Sequence, residues 1–472
     1  MGDEGKREDV NDLISNSLFE IGGTDQIEKV RSNIDVELKE KKEGEHIYDH
    51  WAGFLKDLQI KIGTLLKADS VSFLLGAGAS KSSGGVLLGS VPIEIEDYLL
   101  KEGITEEKLT GWLELFYTAV RSLSKKDIIP RDSDAILERS KNPSRSSIGA
   151  NYESVLSLLY KWRSALTNDS AKLVLGNPEV TVASKDLDNC LDHAKDALVN
   201  QCLLKPNPEG THKTFLKKVL TRPLNLKRVN LFTLNYDTLI EQAADAEGIV
   251  LLDGFVGAIE RIFRPESYDH DLYFPAETTE GRVHRLDRVV HLYKLHGSVN
   301  WCAKEPDWDN PYGVSVRSMD EKGTSPILIY PTPLKYGETV GMPYSELFRR
   351  FAWAIVRPQS TLFTIGYGFG DEHVNAIIRQ ALAIPSFTLV IVDPFAPPLD
   401  VSSSKFVARL RAQGDRRVWI VSGETLGTFE GFVKYVLPDL RDEEILEKVM
   451  KTYKALRHTE SGPADLGEAN GK

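Results

Sequence analysis

The sequence predicts an α/β fold built on a doubly wound, mostly parallel sheet, and three observations lead there. Short apolar runs rich in β-branched and aromatic residues recur along the chain, each closed by Gly, Asn, Asp or Pro. These runs are almost continuously apolar, the pattern of strands covered on both faces, where a half-exposed strand would alternate. Helical spacing of apolar residues falls between several of them, as at Leu239 to Ala244 and Val374 to Ala383. Strands alternating with helices give layered α/β architecture.

Residues 1 to about 68 read as a helical segment, with Val10, Leu13, Ile14 and Leu18, then Phe54, Leu58, Ile62 and Leu65, at helical spacing. The mixed-charge run Glu37 to Glu45 between them reads as a solvated surface. The expected strands are Val71–Leu75, Val229–Thr233, Val289–Tyr293, Ile327–Tyr330, Thr361–Ile365, Thr388–Val392 and Arg417–Val421. About 150 residues separate the first two, far more than the 2 to 6 of an ordinary βα or αβ loop. That stretch reads as a helical insertion over about 91–225, able to overhang the carboxyl ends of the strands. Its helices are Ile93 to Lys101, Glu106 to Leu123, Tyr152 to Leu166, Lys185 to Leu204 and His212 to Leu220. The expected organisation is therefore an amino-terminal helical segment (1–68), an α/β domain (69–440), and a carboxyl-terminal helix with a disordered tail (441–472).

Composition narrows the class. The chain has 472 residues, 41% hydrophobic and 27% charged, as an ordinary folded protein does. Its 58 Lys and Arg against 69 Asp and Glu give a net charge of −11, which opposes a phosphate-neutralising surface, so no direct nucleic-acid partner is expected. Three cysteines, Cys190, Cys202 and Cys302, cannot form a disulfide framework and point to a reducing compartment. A polar, acidic amino terminus and the lack of any long apolar run suggest a cytoplasmic protein without a membrane segment.

Four motifs stand where strands end. Gly76-Ala77-Gly78-Ala79-Ser80 lets the backbone turn tightly and approach a ligand, and N–H groups of a following helix can face a pyrophosphate. A tight turn without any ligand explains it equally well, because position 81 is Lys and the third glycine of a dinucleotide fingerprint is missing. Thr233-Leu234-Asn235-Tyr236-Asp237 puts an amide and a carboxylate at the crevice of an open sheet, although Asp237 could simply cap the next helix. Leu295-His296-Gly297-Ser298 offers a base that titrates near neutrality beside a tight turn, whereas His291, inside the strand, reads as a packing residue. Gly366-Tyr367-Gly368-Phe369-Gly370-Asp371 offers a second close backbone approach. Asp393, ending the next strand, is positioned for a ribose hydroxyl. Their simpler explanations are a mobile loop and a turn-forming Asp-Pro.

A metal set of Cys190, His193, Cys202 and His212 competes with a plainer reading. Cys190, Leu191, Ala194, Leu198 and Cys202 form one apolar helix face, so no metal is expected there.

In this order, the four motifs and the final acidic strand end resemble the sirtuin superfamily, and more closely its bacterial branch in antiphage defence systems. The resemblance covers roughly residues 70 to 425 and implies a Rossmann-like, sirtuin-like sheet. The departures are informative. Residues Ser82 to Pro92 lack the Asp and Arg that follow the first glycine motif in protein-deacylating sirtuins, and Leu234 stands where those enzymes carry a glutamine. Only Cys302 follows His296, where the deacylases carry a four-cysteine zinc module, so no zinc is expected.

The resemblance implies that NAD is a substrate, cleaved with water as acceptor. Gly76, Ala77, Gly78 and Ser80 would cradle the pyrophosphate, Asp237 would hold the nicotinamide carboxamide, and Asp393 would lie near the adenosine ribose, with Gly366 and Tyr367 also contacting the cofactor. Asn235 would order the ribose or the attacking water, and His296 would be the general base. The implied activity is that of an NAD hydrolase depleting the cell's NAD, gated by a homo-oligomer or by a partner such as a HerA-type ring ATPase or an Argonaute-like protein. A sirtuin-type protein deacylase and a non-catalytic nucleotide-binding sensor are the alternatives.

Overall fold

The computed structural model describes residues 13–441, except 15, 40–44, 107, 127, 167–171, 176–179, 276–282, 317–325, 329–341 and 396–404. Seven parallel strands form the heart of a nine-stranded sheet: Val418–Ser422, Thr388–Asp393, Ser360–Ile365, Ser70–Leu75, Asn230–Thr233, Val289–Lys294 and Val250–Leu252, in that spatial order. This is the doubly wound, Rossmann-like architecture that the sequence predicts.

Alternate residues of each strand feed two cores. Val71, Phe73, Leu231, Leu292, Phe363, Val390 and Val421 face one layer, which the Glu45–Leu66 helix covers with Trp51, Phe54, Leu58 and Ile62. Leu74, Phe232, Tyr293, Leu362, Leu389 and Ile420 face the other, covered by the Tyr344–Ile355 and Glu372–Leu382 helices. Burial on both faces is why these runs carry so little alternation.

The chain leaves Ser70–Leu75 for neighbours on one side, Asn230–Thr233 and then Val289–Lys294. It later returns on the other side with Ser360–Ile365, Thr388–Asp393 and Val418–Ser422. The order therefore reverses between Ser70–Leu75 and Ser360–Ile365. A reversal of this kind opens a crevice at the carboxyl ends of the strands, where open α/β sheets bind ligands.

The insertion folds around its own apolar core through the helices Ile93–Gly103, Gly111–Leu123, Tyr152–Ala165 and Ser184–Cys202. Tyr236, from the loop after Asn230–Thr233, and Val299, from the Gly297–Ala303 strand that follows Val289–Lys294, are part of that core, so the module stands at the carboxyl ends. Cys190 is buried within it, and His193 stacks on Trp112 with 4.1 Å between ring centroids. Glu96, fully buried there, accepts from Arg139 at 2.6 and 2.9 Å and from the Tyr117 hydroxyl.

Three expectations need correction. Leu18 does not extend a helix: Leu18–Ile21 is a strand antiparallel to Val418–Ser422, with Phe19 fully buried and Glu20 paired to Arg411. Tertiary pairing outweighs a helical spacing of only a few residues. The apolar run beginning at Ile327 joins no parallel sheet. Pro326–Leu328 pairs antiparallel with Gly297–Ala303 in a separate five-stranded sheet, because an apolar run fixes burial and not pairing direction. The helix expected from Glu106 starts only at Gly111, after Ile104–Thr105 pairs antiparallel with Lys108–Leu109, local strand pairing taking the residues at its start; after Gly76 the chain forms a 3-10 helix, Ala77–Ser83. The expected carboxyl-terminal helix, Glu443 to Leu456, lies outside the described residues, and no described helix is long and apolar enough to cross a membrane.

Candidate active site

Two glycine turns meet at the point where the strand order reverses. The Gly78 N–H donates to the Gly366 carbonyl at 3.0 Å, the Gly76 N–H to Ile365 at 2.9 Å, and the Gly366 N–H to Val392 at 3.0 Å. A Cβ on Gly76 would stand 2.5 Å from the Gly366 oxygen, and one on Gly78 2.7 Å from the Gly366 Cα. The glycines thus let two backbones touch. The N–H groups of Gly76, Gly78 and Ala79 donate to Ile365, Gly366 and Gly76 respectively.

Ser80, Asn235 and Asp237 converge just above that contact. The Ser80 hydroxyl donates to Asp237 Oδ2 at 2.6 Å. The Asn235 amide donates to the Gly76 carbonyl and to Ser80 Oγ, both at 2.9 Å, while its backbone N–H donates to Thr233 Oγ1 at 3.0 Å. Asp237 serves the following helix as well, since its Oδ1 accepts from the Leu239 N–H at 3.1 Å. One carboxylate thus ties the Ser80 hydroxyl to the first residue of the next helix.

Lys294, the last residue of its strand and almost fully buried, holds this loop from below. Its ammonium donates to the carbonyls of Tyr236 and Asp237 and to Glu241 Oε1 at 2.9 Å. Burial raises the Glu241 carboxyl above its ordinary range, with the Lys294 charge opposing.

His296 occupies the turn between Val289–Lys294 and Gly297–Ala303, which reverses through Gly297 at φ 88°. The imidazole is buried, with Tyr236 and Phe348 beside it at ring-centroid distances of 6.4 and 6.3 Å. The Tyr236 carbonyl accepts from the Val299 N–H at 3.0 Å and the Ser298 hydroxyl at 3.3 Å, tying the His296 turn to the Asn235–Asp237 loop.

His296 Nε2 stands 3.0 Å from Asp371 Oδ2. The other oxygen of Asp371 caps the Glu372–Leu382 helix, accepting from the N–H groups of His373 at 2.9 Å and Val374 at 3.3 Å. The Tyr367 hydroxyl lies 3.1 Å from the Asp371 carbonyl and from Asn375 Oδ1, and the Asn375 amide donates to Phe369 at 2.9 Å. Gly366 to Gly370 is accordingly a hydrogen-bonded turn whose tyrosine builds the turn itself, and burial raises the Tyr367 hydroxyl well above its ordinary pKa.

Asp393 stands apart from this cluster. Its Oδ1 accepts from the Phe395 N–H at 2.7 Å, closing a local turn at the end of the next strand, and burial raises its carboxyl. Asp371 is the residue that sequence reasoning passed over. It was visible only as the acid between a glycine turn and a helix, a pattern that predicts a cap and is silent about a histidine 75 positions away.

Burial lowers His291 to about 4, and it stacks against Tyr293, so it packs within the sheet. Among the described residues no three His, Cys, Asp or Glu side chains converge as metal ligands.

Comparison with known proteins gives three findings. No curated protein matches the chain. Among solved structures, it is similar to a Sir2 homologue in complex with ADP-ribose, at 12% identity and a TM-score of 0.30 over 76% of this chain and 96% of that one. A Sir2 homologue in complex with NAD shows 14% identity and a TM-score of 0.30 over 76% and 93%. Residues 229–408, which carry Asn235, Asp237, His296, Gly366, Asp371 and Asp393, match the model of the SIR2-like domain.

Proposed function

We propose that the protein is an NAD hydrolase that converts NAD and water to nicotinamide and ADP-ribose. The observation that supports this best is the His296 imidazole, held against a carboxylate at the crevice of a sheet whose residues 229–408 match a SIR2-like domain. In this reading NAD lies along the strand ends, its pyrophosphate toward Gly76 to Ser80 and its adenosine ribose toward Asp393, with Gly366 and Tyr367 lining the cofactor path. Asp237 receives the carboxamide of nicotinamide.

The bond between the ribose C1′ and the pyridinium nitrogen breaks, and its electron pair neutralises the ring, so nicotinamide leaves uncharged. Water ordered by Asn235 forms the new bond to C1′, and its proton passes to His296. Such base catalysis contributes about 10²–10⁴-fold, with ordered placement and exclusion of bulk water supplying much of the rest. The acceptor is taken to be water because the sequence lacks the Asp and Arg after the first glycine motif and the four-cysteine module of the deacylases.

The same reading assigns the activity to NAD depletion in antiphage defence, restrained by self-association or by a partner such as a HerA-type ATPase; the motif resemblance is its support.

The test is to incubate the purified chain with NAD, with and without an acyl-lysine peptide, and follow nicotinamide. Release without peptide is expected, and it should vanish in His296→Ala and Asn235→Ala variants that keep the wild-type circular dichroism. Release that strictly requires the peptide identifies a deacylase. NAD binding without release identifies a sensor, and undiminished turnover in both variants overturns the assignment of these residues.

A further inference from the structure

We infer that Asp371 is the positioning residue of His296, holding the imidazole with its proton on Nε2 so that Nδ1 is the atom that accepts the proton. The inference rests on the hydrolase reading for the base role, and on geometry alone for the tautomer.

Nε2 faces Asp371 Oδ2 at 3.0 Å, and both side chains are only 8% exposed. An ionised carboxylate can only accept, so a neutral imidazole in this contact must carry its hydrogen on Nε2 and its lone pair on Nδ1. Asp371 is well suited to remain ionised. Its Oδ1 accepts two backbone N–H groups at the first turn of an eleven-residue helix, where the helix dipole also favours negative charge. The carboxylate cannot swing away without uncapping that helix, and its own backbone is held by the Tyr367 hydroxyl. Once Nδ1 takes a proton, the resulting imidazolium meets a fixed negative charge in a buried setting, where the attraction is stronger than in water. The pair therefore sets both the orientation of the ring and the identity of the basic nitrogen.

Capping alone would explain Asp371 without any role for His296, and Asp371→Asn separates the two. Asparagine caps helices as well as aspartate does. With its oxygen kept on the His373 and Val374 N–H groups, its NH₂ points at Nε2, which must then accept, and the imidazole hydrogen moves to Nδ1. The corresponding replacement beside the histidine of a serine protease triad leaves the geometry intact and costs about 10⁴-fold in turnover through the wrong tautomer.

The experiment uses the full chain labelled with ¹⁵N-histidine, with His296 assigned by the resonances lost in His296→Ala. In NAD-free wild-type protein, raising the pH should deprotonate Nδ1 while Nε2 keeps its hydrogen, and Asp371→Asn should reverse the two nitrogens at unchanged thermal stability. In the nicotinamide assay, Asp371→Asn should lower kcat by two to four powers of ten with KM changed only a few-fold, and Asp371→Glu should recover part of the loss. A wild-type imidazole that loses its proton from Nε2 overturns the inference, as does an Asp371→Asn variant within threefold of wild-type kcat. The spectra need no substrate, so they decide the tautomer even if no nicotinamide is released; that silence would count against the hydrolase reading alone.

Discussion

Ser80 and Asp237 are joined by a 2.6 Å hydrogen bond across 157 residues of sequence, and that bond closes the helical insertion back onto the sheet. One end lies in the turn after the first parallel strand and the other in the loop after the second. The chemistry proposed for the Asn235–Asp237 loop thus depends on a hydroxyl contributed from before the insertion begins.

Ser80→Ala should lower stability by about 1–3 kcal/mol, because it removes a donor from the buried Asp237 carboxylate and an acceptor from the Asn235 amide. Urea denaturation checks this, with nicotinamide release expected to fall in parallel as the loop loosens. A loss below about 0.5 kcal/mol, less than a typical net hydrogen bond, would show that the hydroxyl does not hold the loop.

Gly366→Ala should be among the most damaging small substitutions in the chain. Gly366 has φ 60°, and a Cβ there would lie 2.6 Å from the Ala79 nitrogen and the Gly78 Cα, which are backbone atoms that cannot rotate aside. The left-handed conformation alone costs roughly 1–2 kcal/mol for a residue with a side chain, and the clash adds to it. Two residues away, a Cβ on Gly368 meets nothing within 4 Å, so Gly368→Ala should stay within about 0.5 kcal/mol of wild type. Thermal melts of the two variants side by side provide the check.

The protein should lose stability in mild acid through its buried histidines. Burial lowers His291 from 6.5 to about 4 and lowers His212 as well, so the unfolded chain takes up these protons first. Stability is then level above pH about 6.5, falls by up to about 1.4 kcal/mol per pH unit for His291 as pH drops toward 4, and levels again below that. His291→Gln, which has no such proton to take up, should flatten this limb when denaturation midpoints are compared at pH about 7.5 and 4.5. Asp269 and Asp415 act in a lower window: hydrogen bonds to Arg350 and Arg417 lower their carboxyls, so what they contribute is lost only as pH falls through those depressed values.

The sequence made six of the seven parallel strands legible, because burial on both faces writes a continuous apolar run. The seventh, Val250–Leu252, was missed because it lies at the sheet edge, is partly exposed, and spans three residues. Gly297–Ala303 was also missed, although seven residues long, because Gly, Ser and Asn break its apolar texture. Asn235, Asp237 and His296 stood out as candidates because a polar group at the end of an apolar run needs a reason to be there. The partners of those groups were not, since the contacts between Ser80 and Asp237 and between His296 and Asp371 exist only once distant strands are aligned.

The placement of the insertion also sets the order in which the chain can fold during synthesis. The Ser70–Leu75 strand, buried at all six residues, has sheet neighbours only at Asn230–Thr233 and Ser360–Ile365. The Leu75 carbonyl accepts from the Thr233 hydroxyl 158 residues later. At roughly 5–20 residues per second, this fully buried strand spends on the order of 10–30 s outside the ribosome before its first neighbour is made. During that interval it is an unpaired β-segment of the kind chaperones hold and aggregates recruit. Ample chaperone during synthesis should therefore raise the soluble yield.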